Sequence, residues 1–260
     1  GASARSVTPS IYTCSDTMNV ACLQRYVHTL RHLRASQWWH QLLHRLPKLS
    51  TAPRPLQPGS LRPGVQLLHH MAMHPPIDTD AAFTFLHRKK VFDLGRIEWA
   101  NTDMPKLWRY NLHYFDYLQD SQRSIENKAY LVSDWIEHNP QGTVDAWEPY
   151  TTSLRIVNWV KFFLSLSSDS LEQKYLEEGS TKGELPAGLK PEWLKSLYSQ
   201  ALWLEQNIEY HILANHYLKN GVALFFAGAY FQGMDADRWL KKGAQILREE
   251  LDEQFLADGG

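Results

Sequence analysis

The chain of 260 residues has a formal net charge of −1, with 43% hydrophobic and 21% charged residues, which is enough apolar material for one large domain or two small ones. Two cysteines, Cys14 and Cys22, exclude a disulfide framework and a cysteine metal quartet, and no stretch is apolar enough to span a bilayer. Residues 1–120 carry 14 Lys and Arg against 8 Asp and Glu, and the remainder 13 against 20, yet no clustered basic face of a nucleic-acid binder emerges.

Residues 1–17 lack the apolar core of a signal peptide and read as a tag or disordered leader, with Met18 a natural start. From Met18 to Leu46, Leu23, Tyr26, Leu30 and Leu33, then Trp38, Leu42, Leu43 and Leu46 recur at helical spacing, with Ala35-Ser36 a point of division. Interleaved arginines make this a basic amphipathic segment, a pattern that suits a membrane surface as well as a protein core. Residues 50–80 are rich in Pro and Gly and read as a loop, and the partial alternation over Phe83–Phe92 predicts a short strand or hairpin. The next stretch, LWRYNLHYFDYL (107–118), is dense in aromatic and polar side chains.

A helix is expected from about Ser121 to His138, stopped by Asn139-Pro140. Another opens at Trp147-Glu148-Pro149 and runs to Leu166. The polar, acidic residues 167–190 read as a surface loop. Beyond Pro191, one apolar stripe (Leu194, Leu197, Tyr198, Ala201, Leu204, Ile208) precedes a polar knot and another (Leu218, Val222, Phe225, Phe226, Ala229) follows it. A single helix of that length would be unusual, so a break is expected near Ala214-Asn215, with Asn215 capping the second helix. Gly233 should end that helix. Asp235 or Asp237 should cap a last one, whose stripe is Leu240, Ala244, Leu247, Leu251 and Phe255. Successive helical hairpins with little strand predict an all-α layered array.

Ten Trp and twelve Tyr offer flat faces with a polar edge, which suits sugar rings, although core packing accounts for most such residues. His211 and His216 are five apart, not the four that puts two metal ligands on one helix face, so no metal site is expected. Asp145 with Glu148, or Glu148 with Glu209, could serve as the carboxylate pair of an α/α-barrel glycoside hydrolase. A non-catalytic helical domain that binds glycan or protein is the other rival.

Three motifs in order carry a sharper likeness: LWRYNLHYFDYL (107–118), WEPYTTSLRIVNW (147–159) and EYHILANH (209–216). Together they resemble the N-terminal helical domain of the heparinase II/III family of polysaccharide lyases, over most of the chain from about Met18. The resemblance implies an incomplete (α/α) toroid of antiparallel helical hairpins over residues 18–260, truncated before a β-sandwich domain. It also implies β-elimination on an acidic, uronic-acid polysaccharide, without a cofactor. On this likeness Asn215 helps neutralise the uronate carboxylate. A catalytic Tyr beyond the loop that Asp258-Gly-Gly260 begins, and a His of the β domain, would lie outside the chain, leaving the chain alone inactive. Ala214 stands where the family often has Gly. His216, His211, Arg155, Asn158, Trp147, Glu148, Tyr110, His113 and Tyr114 are candidates to line the groove. The bland alternatives are a cap for Asn215, aromatic packing for His216, an anchor to Glu148 or a helix end for Arg155, and a seal between two helices for Trp147.

Overall fold

A computed structural model describes residues 60–66, 81–93, 95–174, 188–210 and 215–254. Contacts divide the chain into two units, 1–49 and 50–260, and the first lies wholly outside the described residues. The expected leader and the Met18–Leu46 helices, His211, Phe255 and the chain end therefore also lie outside them.

Among the described residues the protein is mostly helical. A β-hairpin, β1 (Ala82–Phe85) and β2 (Arg88–Val91), pairs Phe85 with Arg88 across a two-residue turn. Both turn residues, Leu86 and His87, have positive φ, the twist that matches a tight hairpin. Six helices follow: α1 (Lys106–Tyr114), α2 (Ile125–His138), α3 (Pro149–Lys174), α4 (Pro191–Gln206), α5 (Asn215–Tyr230) and α6 (Met234–Gln254). A 3-10 turn (Asp116–Gln119) lies between α1 and α2.

Several expected boundaries move. The helix expected from Ser121 begins at Ile125, because Ser124 caps it by accepting from the Asn127 N–H at 3.1 Å. It ends where the Asn139-Pro140 stop requires. α3 continues to Lys174, so residues 167–174, expected as loop, are helical. α4 ends at Gln206, before the polar knot. Asp235 and Asp237 stand inside the first turn of α6, not before it, where their charge complements the helix N-terminus.

From α3 onward, consecutive helices run antiparallel. Phe163 stacks on Trp193 while Arg155 reaches Gln200, so α3 and α4 are opposed. Tyr198 meets Phe231 while the Glu209 N–H reaches Asn220, so α4 and α5 are opposed. Tyr150 meets His216 and Phe163 meets Tyr230, which makes α3 and α5 parallel neighbours. Buried Trp108, Trp135, Trp159, Trp193 and Trp239 form much of the core, with Phe115 lying between Trp99, Trp135 and Trp159.

α5 and α6 pack almost backbone to backbone. A methyl placed on Gly243 would lie 2.5 Å from the Phe225 nitrogen, and one on Gly228 would lie 2.4 Å from the Leu240 nitrogen. This approach corrects the stripe expected on α6. The fully buried positions are Ala236, Trp239, Gly243, Ile246 and Glu250, one residue out of phase with Leu240, Ala244, Leu247 and Leu251. Leu251 is 48% exposed. Apolar pattern alone misplaces the face because glycine, which carries no apolar side chain, marks the closest contact.

Candidate active site

The ends of α1, α3 and α5 meet in a row of aromatic and polar side chains. α1 presents Tyr110 and Tyr114 one turn apart on one face. Pro149 at the start of α3 holds Glu148 just outside the helix and Tyr150 just inside it. The Tyr110 hydroxyl donates to Glu148, which also pairs with the Lys106 ammonium at 3.2 Å. The rings then step from Tyr110 to Tyr114 (6.4 Å between centroids), to Tyr150 (6.0 Å), and to His216 (4.4 Å). Burial raises the Tyr110 and Tyr114 hydroxyl pKa values, helped by Glu148 at Tyr110 and by Tyr150 at Tyr114, so both remain neutral donors.

Asn215 is exposed, and its amide Nδ2 donates to the Tyr150 hydroxyl oxygen at 3.1 Å. As the first residue of α5 it makes no capping bond to the following turn among the described residues, so the expected cap role is not the one it fills. One amide N–H is left over, and the Tyr150 hydroxyl, which accepts from Asn215, keeps its own proton to donate. His216 places Nδ1 at 3.2 Å from both oxygens of Glu209. Glu209 is itself buried, and its backbone N–H donates to the Asn220 side-chain oxygen, whose amide in turn donates to Ser153 on α3. Such a carboxylate–imidazole pair sets the tautomer and leaves Nε2 for a ligand. The aromatic neighbour weighed for His216 is Tyr150, so packing and exposure coexist at that residue.

Four candidates for the groove lie under this row instead. Arg155 is fully buried, because its guanidinium is spent on the Gln200 side chain (2.8 Å), the Ala146 carbonyl (2.8 Å), the His113 carbonyl (3.4 Å) and the Thr152 hydroxyl (3.2 Å). It lies 4.0 Å from the Trp135 ring centroid and serves as an anchor, though not to Glu148. His113 is also fully buried; its Nδ1 accepts from the Trp135 indole N–H at 3.0 Å. Burial, reinforced by the Arg155 charge, drives its pKa down to about 3, so it is neutral. Asn158 donates to the Tyr114 carbonyl at 3.0 Å and to the Asp116 carboxylate, tying the end of α1 to α3. Trp147 donates to the Asn139 carbonyl at 3.0 Å and packs on Trp135 and Trp203, the seal between helices rather than an open platform.

Of the sequence candidates, the structure therefore brings together Asn215, His216, Tyr114, Tyr110 and Glu148. Tyr150 and Glu209 join the row although the sequence does not mark them as groove residues. Tyr150 follows Glu148 and Pro149 in the second motif, and Glu209 opens the third, which is the signal that would have found both. The proposed hydrolase carboxylates are all engaged: Asp145 with Arg109 at 2.6 Å, Glu148 with Tyr110 and Lys106, Glu209 with His216.

Residues 77–260 match the family model described as the heparinase II/III N-terminus. The chain belongs to the heparinase II/III family. A heparin-sulfate lyase of Bacteroides stercoris is 25% identical over 183 residues, covering 67% of this chain and 25% of that protein. The chain thus spans about a quarter of the length of this curated relative. No solved structure matches. The matched region contains every residue of the aromatic row.

Proposed function

We propose that this chain is the toroid region, residues 18–260, of a polysaccharide lyase that cleaves a uronic-acid polymer by β-elimination. The observation that carries the reading is the Asn215 amide: exposed, unspent as a cap, and held by Tyr150 beside a Glu209-bound His216. The alternating antiparallel helices from α3 to α6 support the reading, since a toroid is assembled from helical hairpins.

The chemistry explains the need for such groups. The proton beside a uronate carboxylate is weakly acidic, because removing it adds negative charge to an anion. Donors aimed at that carboxylate stabilise the enolate-like transition state. The free amide N–H of Asn215 and the Tyr150 hydroxyl supply two such donors, and Nε2 of His216 orients a neighbouring hydroxyl. Tyr110 and Tyr114 offer ring edges along which adjacent sugars lie. A base removes the proton and an acid protonates the departing glycosidic oxygen. We assign those two steps to the whole protein, with a β-sandwich domain as the second partner that the resemblance implies, and carboxylate binding to this chain.

The test is Asn215→Asp in the full-length gene product, scored by the absorbance of the unsaturated uronate formed from heparan sulfate and other uronate polymers. Asp keeps the volume but removes both amide N–H groups and opposes the substrate carboxylate with a negative charge. Losing one aimed donor costs roughly 10²–10³ in turnover, and the repulsion adds to it. Since Asn215 makes no capping bond, melting temperature should hold. An unchanged elimination rate would remove the assignment.

A further inference from the structure

The hairpin that precedes α1 ends in a turn whose residues are at odds with its backbone. Leu86 and His87 have φ of 53° and 60°, so both central positions are left-handed, as in a type I′ turn. Gly and Asn take that conformation readily and His tolerates it, but for a residue as bulky as Leu it is strained. Leu86 gains no burial in return, being 52% exposed at the tip. An apolar side chain kept in water at a position where Asn would fold better points to contact with something other than water.

The residues around the tip carry the same signal. The pairing of Ala82 with Val91 and of Thr84 with Lys89 puts these four on the face opposite Phe83 and Phe85. Phe83 packs on Tyr117 and Phe85 on Trp108, so theirs is the inward face. On the outward face Ala82 is buried at the base, but Lys89 is exposed and Val91 is 61% exposed. Arg88 is exposed beside the turn, and Lys90 reaches the Asp103 carboxylate at 3.4 Å, an exposed pair of little strength. Between residues 86 and 96 stand Arg88, Lys89, Lys90 and Arg96 against Asp93 alone, within the first 120 residues, where Lys and Arg outnumber Asp and Glu by 14 to 8.

We propose that this hairpin docks the protein on an anionic lipid surface, with Leu86 entering the boundary between headgroups and acyl chains and Arg88, Lys89 and Lys90 lying among the phosphates. Charge by itself would suit any polyanion. The strained, exposed Leu86 and the exposed Val91 favour a bilayer, because a sugar polymer or a nucleic acid offers no hydrocarbon layer to receive them. Attachment of this kind is peripheral, and among the described residues no helix is long and apolar enough to cross a membrane. The surface is separate from the proposed lyase site, whose Tyr150 and Asn215 stand on α3 and α5.

The experiment is co-sedimentation of the full-length gene product with vesicles of phosphatidylcholine alone and of phosphatidylcholine mixed with phosphatidylglycerol, at low and high salt, beside retention on immobilised heparin. Wild type should pellet with the anionic vesicles and not with the neutral ones, and less at high salt. Leu86→Asn should weaken vesicle partition about 5- to 10-fold, the value of one withdrawn leucine side chain. Its melting temperature should hold or rise, because Asn suits the left-handed turn. Leu86→Met, still apolar and of similar volume, should stay within about 2-fold of wild type. Arg88→Gln and Lys89→Gln should each cost about 5-fold in partition.

Failure of the wild type to pellet with anionic vesicles overturns the proposal, and so does equal pelleting with both vesicle types. Wild-type partition by Leu86→Asn would show that the tip stays in water. A loss in Leu86→Met as large as that in Leu86→Asn would mean shape and not apolarity. A lower melting temperature for Leu86→Asn would show that Leu86 serves folding instead. Loss of heparin retention by Leu86→Asn would make the hairpin a glycan contact and overturn the lipid assignment.

Discussion

Replacing Gly243 by Ala sets two opposite physical effects against each other, and the structure decides between them. In an exposed helix the change would stabilise by up to about 1 kcal/mol, because Gly loses the most backbone entropy on folding. Here the added methyl would lie 2.5 Å from the Phe225 nitrogen, 2.7 Å from the Gly221 carbonyl oxygen and 2.8 Å from the Phe225 Cα, where ordinary contact is 3.4–4 Å. These are backbone atoms, which no rotamer change can clear. α5 and α6 must part by roughly 1 Å along their closest line, which forfeits packing on both sides; overpacking of this kind costs about 1–3 kcal/mol. The net expectation is a loss of about 1–2 kcal/mol. Gly228→Ala meets backbone as well, the Leu240 nitrogen at 2.4 Å and the Ala236 carbonyl oxygen at 2.6 Å, and should rank with it. Gly221→Ala meets Ile246 Cγ2 at 2.5 Å and Cβ at 2.8 Å; the Cβ is fixed to the backbone and Ile is stiff at χ1, so this variant should destabilise as well, by somewhat less than the other two. Urea unfolding of the three variants, compared by midpoint at unchanged slope, measures this ranking. A raised midpoint for Gly243→Ala or Gly228→Ala would refute the backbone-contact account of the α5–α6 hairpin.

Two further predictions concern the buried layer beneath the site. Arg155→Met should destabilise by about 3 kcal/mol or more, since it strips hydrogen bonds from the Gln200 side chain, the Ala146 carbonyl and the Thr152 hydroxyl; Arg155→Lys should rescue little, lacking the planar fork that reaches all three. Equal urea midpoints for wild type and Arg155→Met would contradict the anchor role. His113 should steepen acid unfolding: its folded pKa of about 3 lies below the ordinary 6.5, so as pH falls from 6.5 towards 3 the unfolded chain takes up a proton that the folded one refuses. Stability is then lost with falling pH by about 1 kcal/mol per unit over that window, and His113→Gln, measured by urea midpoints at pH 7 and pH 4.5, should show a shallower loss than wild type.

Much of the helical layout was readable from periodicity and stop signals. The Asn139-Pro140 stop, the Pro191 start and the Phe83–Phe92 hairpin all rest on local sterics, and local sterics act in the finished protein as they do in a short peptide. The extension of α3 to Lys174 was not readable, because residues 167–174 are mostly polar and such a stretch, lacking an apolar stripe, reads as a loop. The three family motifs supply the residues that meet in the aromatic row. Within them, polar type did not distinguish a residue that meets solvent from one that holds the frame. Arg155, Asn158 and Asn215 are equally polar on paper, yet Arg155 and Asn158 are buried against backbone carbonyls while Asn215 is exposed.

What the sequence determined by itself is the class of the protein: a helical, tryptophan-rich chain carrying the heparinase II/III motifs in order. Tertiary structure alone decided the phase of each helix and the duty of each polar group. On α6 the apolar residues suggested one face and the glycine contact turned the helix by one residue, since the closest approach of two backbones is set by what is missing from a side chain. At the site, the ends of three helices distant in sequence had to meet before Tyr150 could hold Asn215 and Glu209 could hold His216. Those bonds join residues up to 65 positions apart, and no local rule of helix or turn refers to partners at that range.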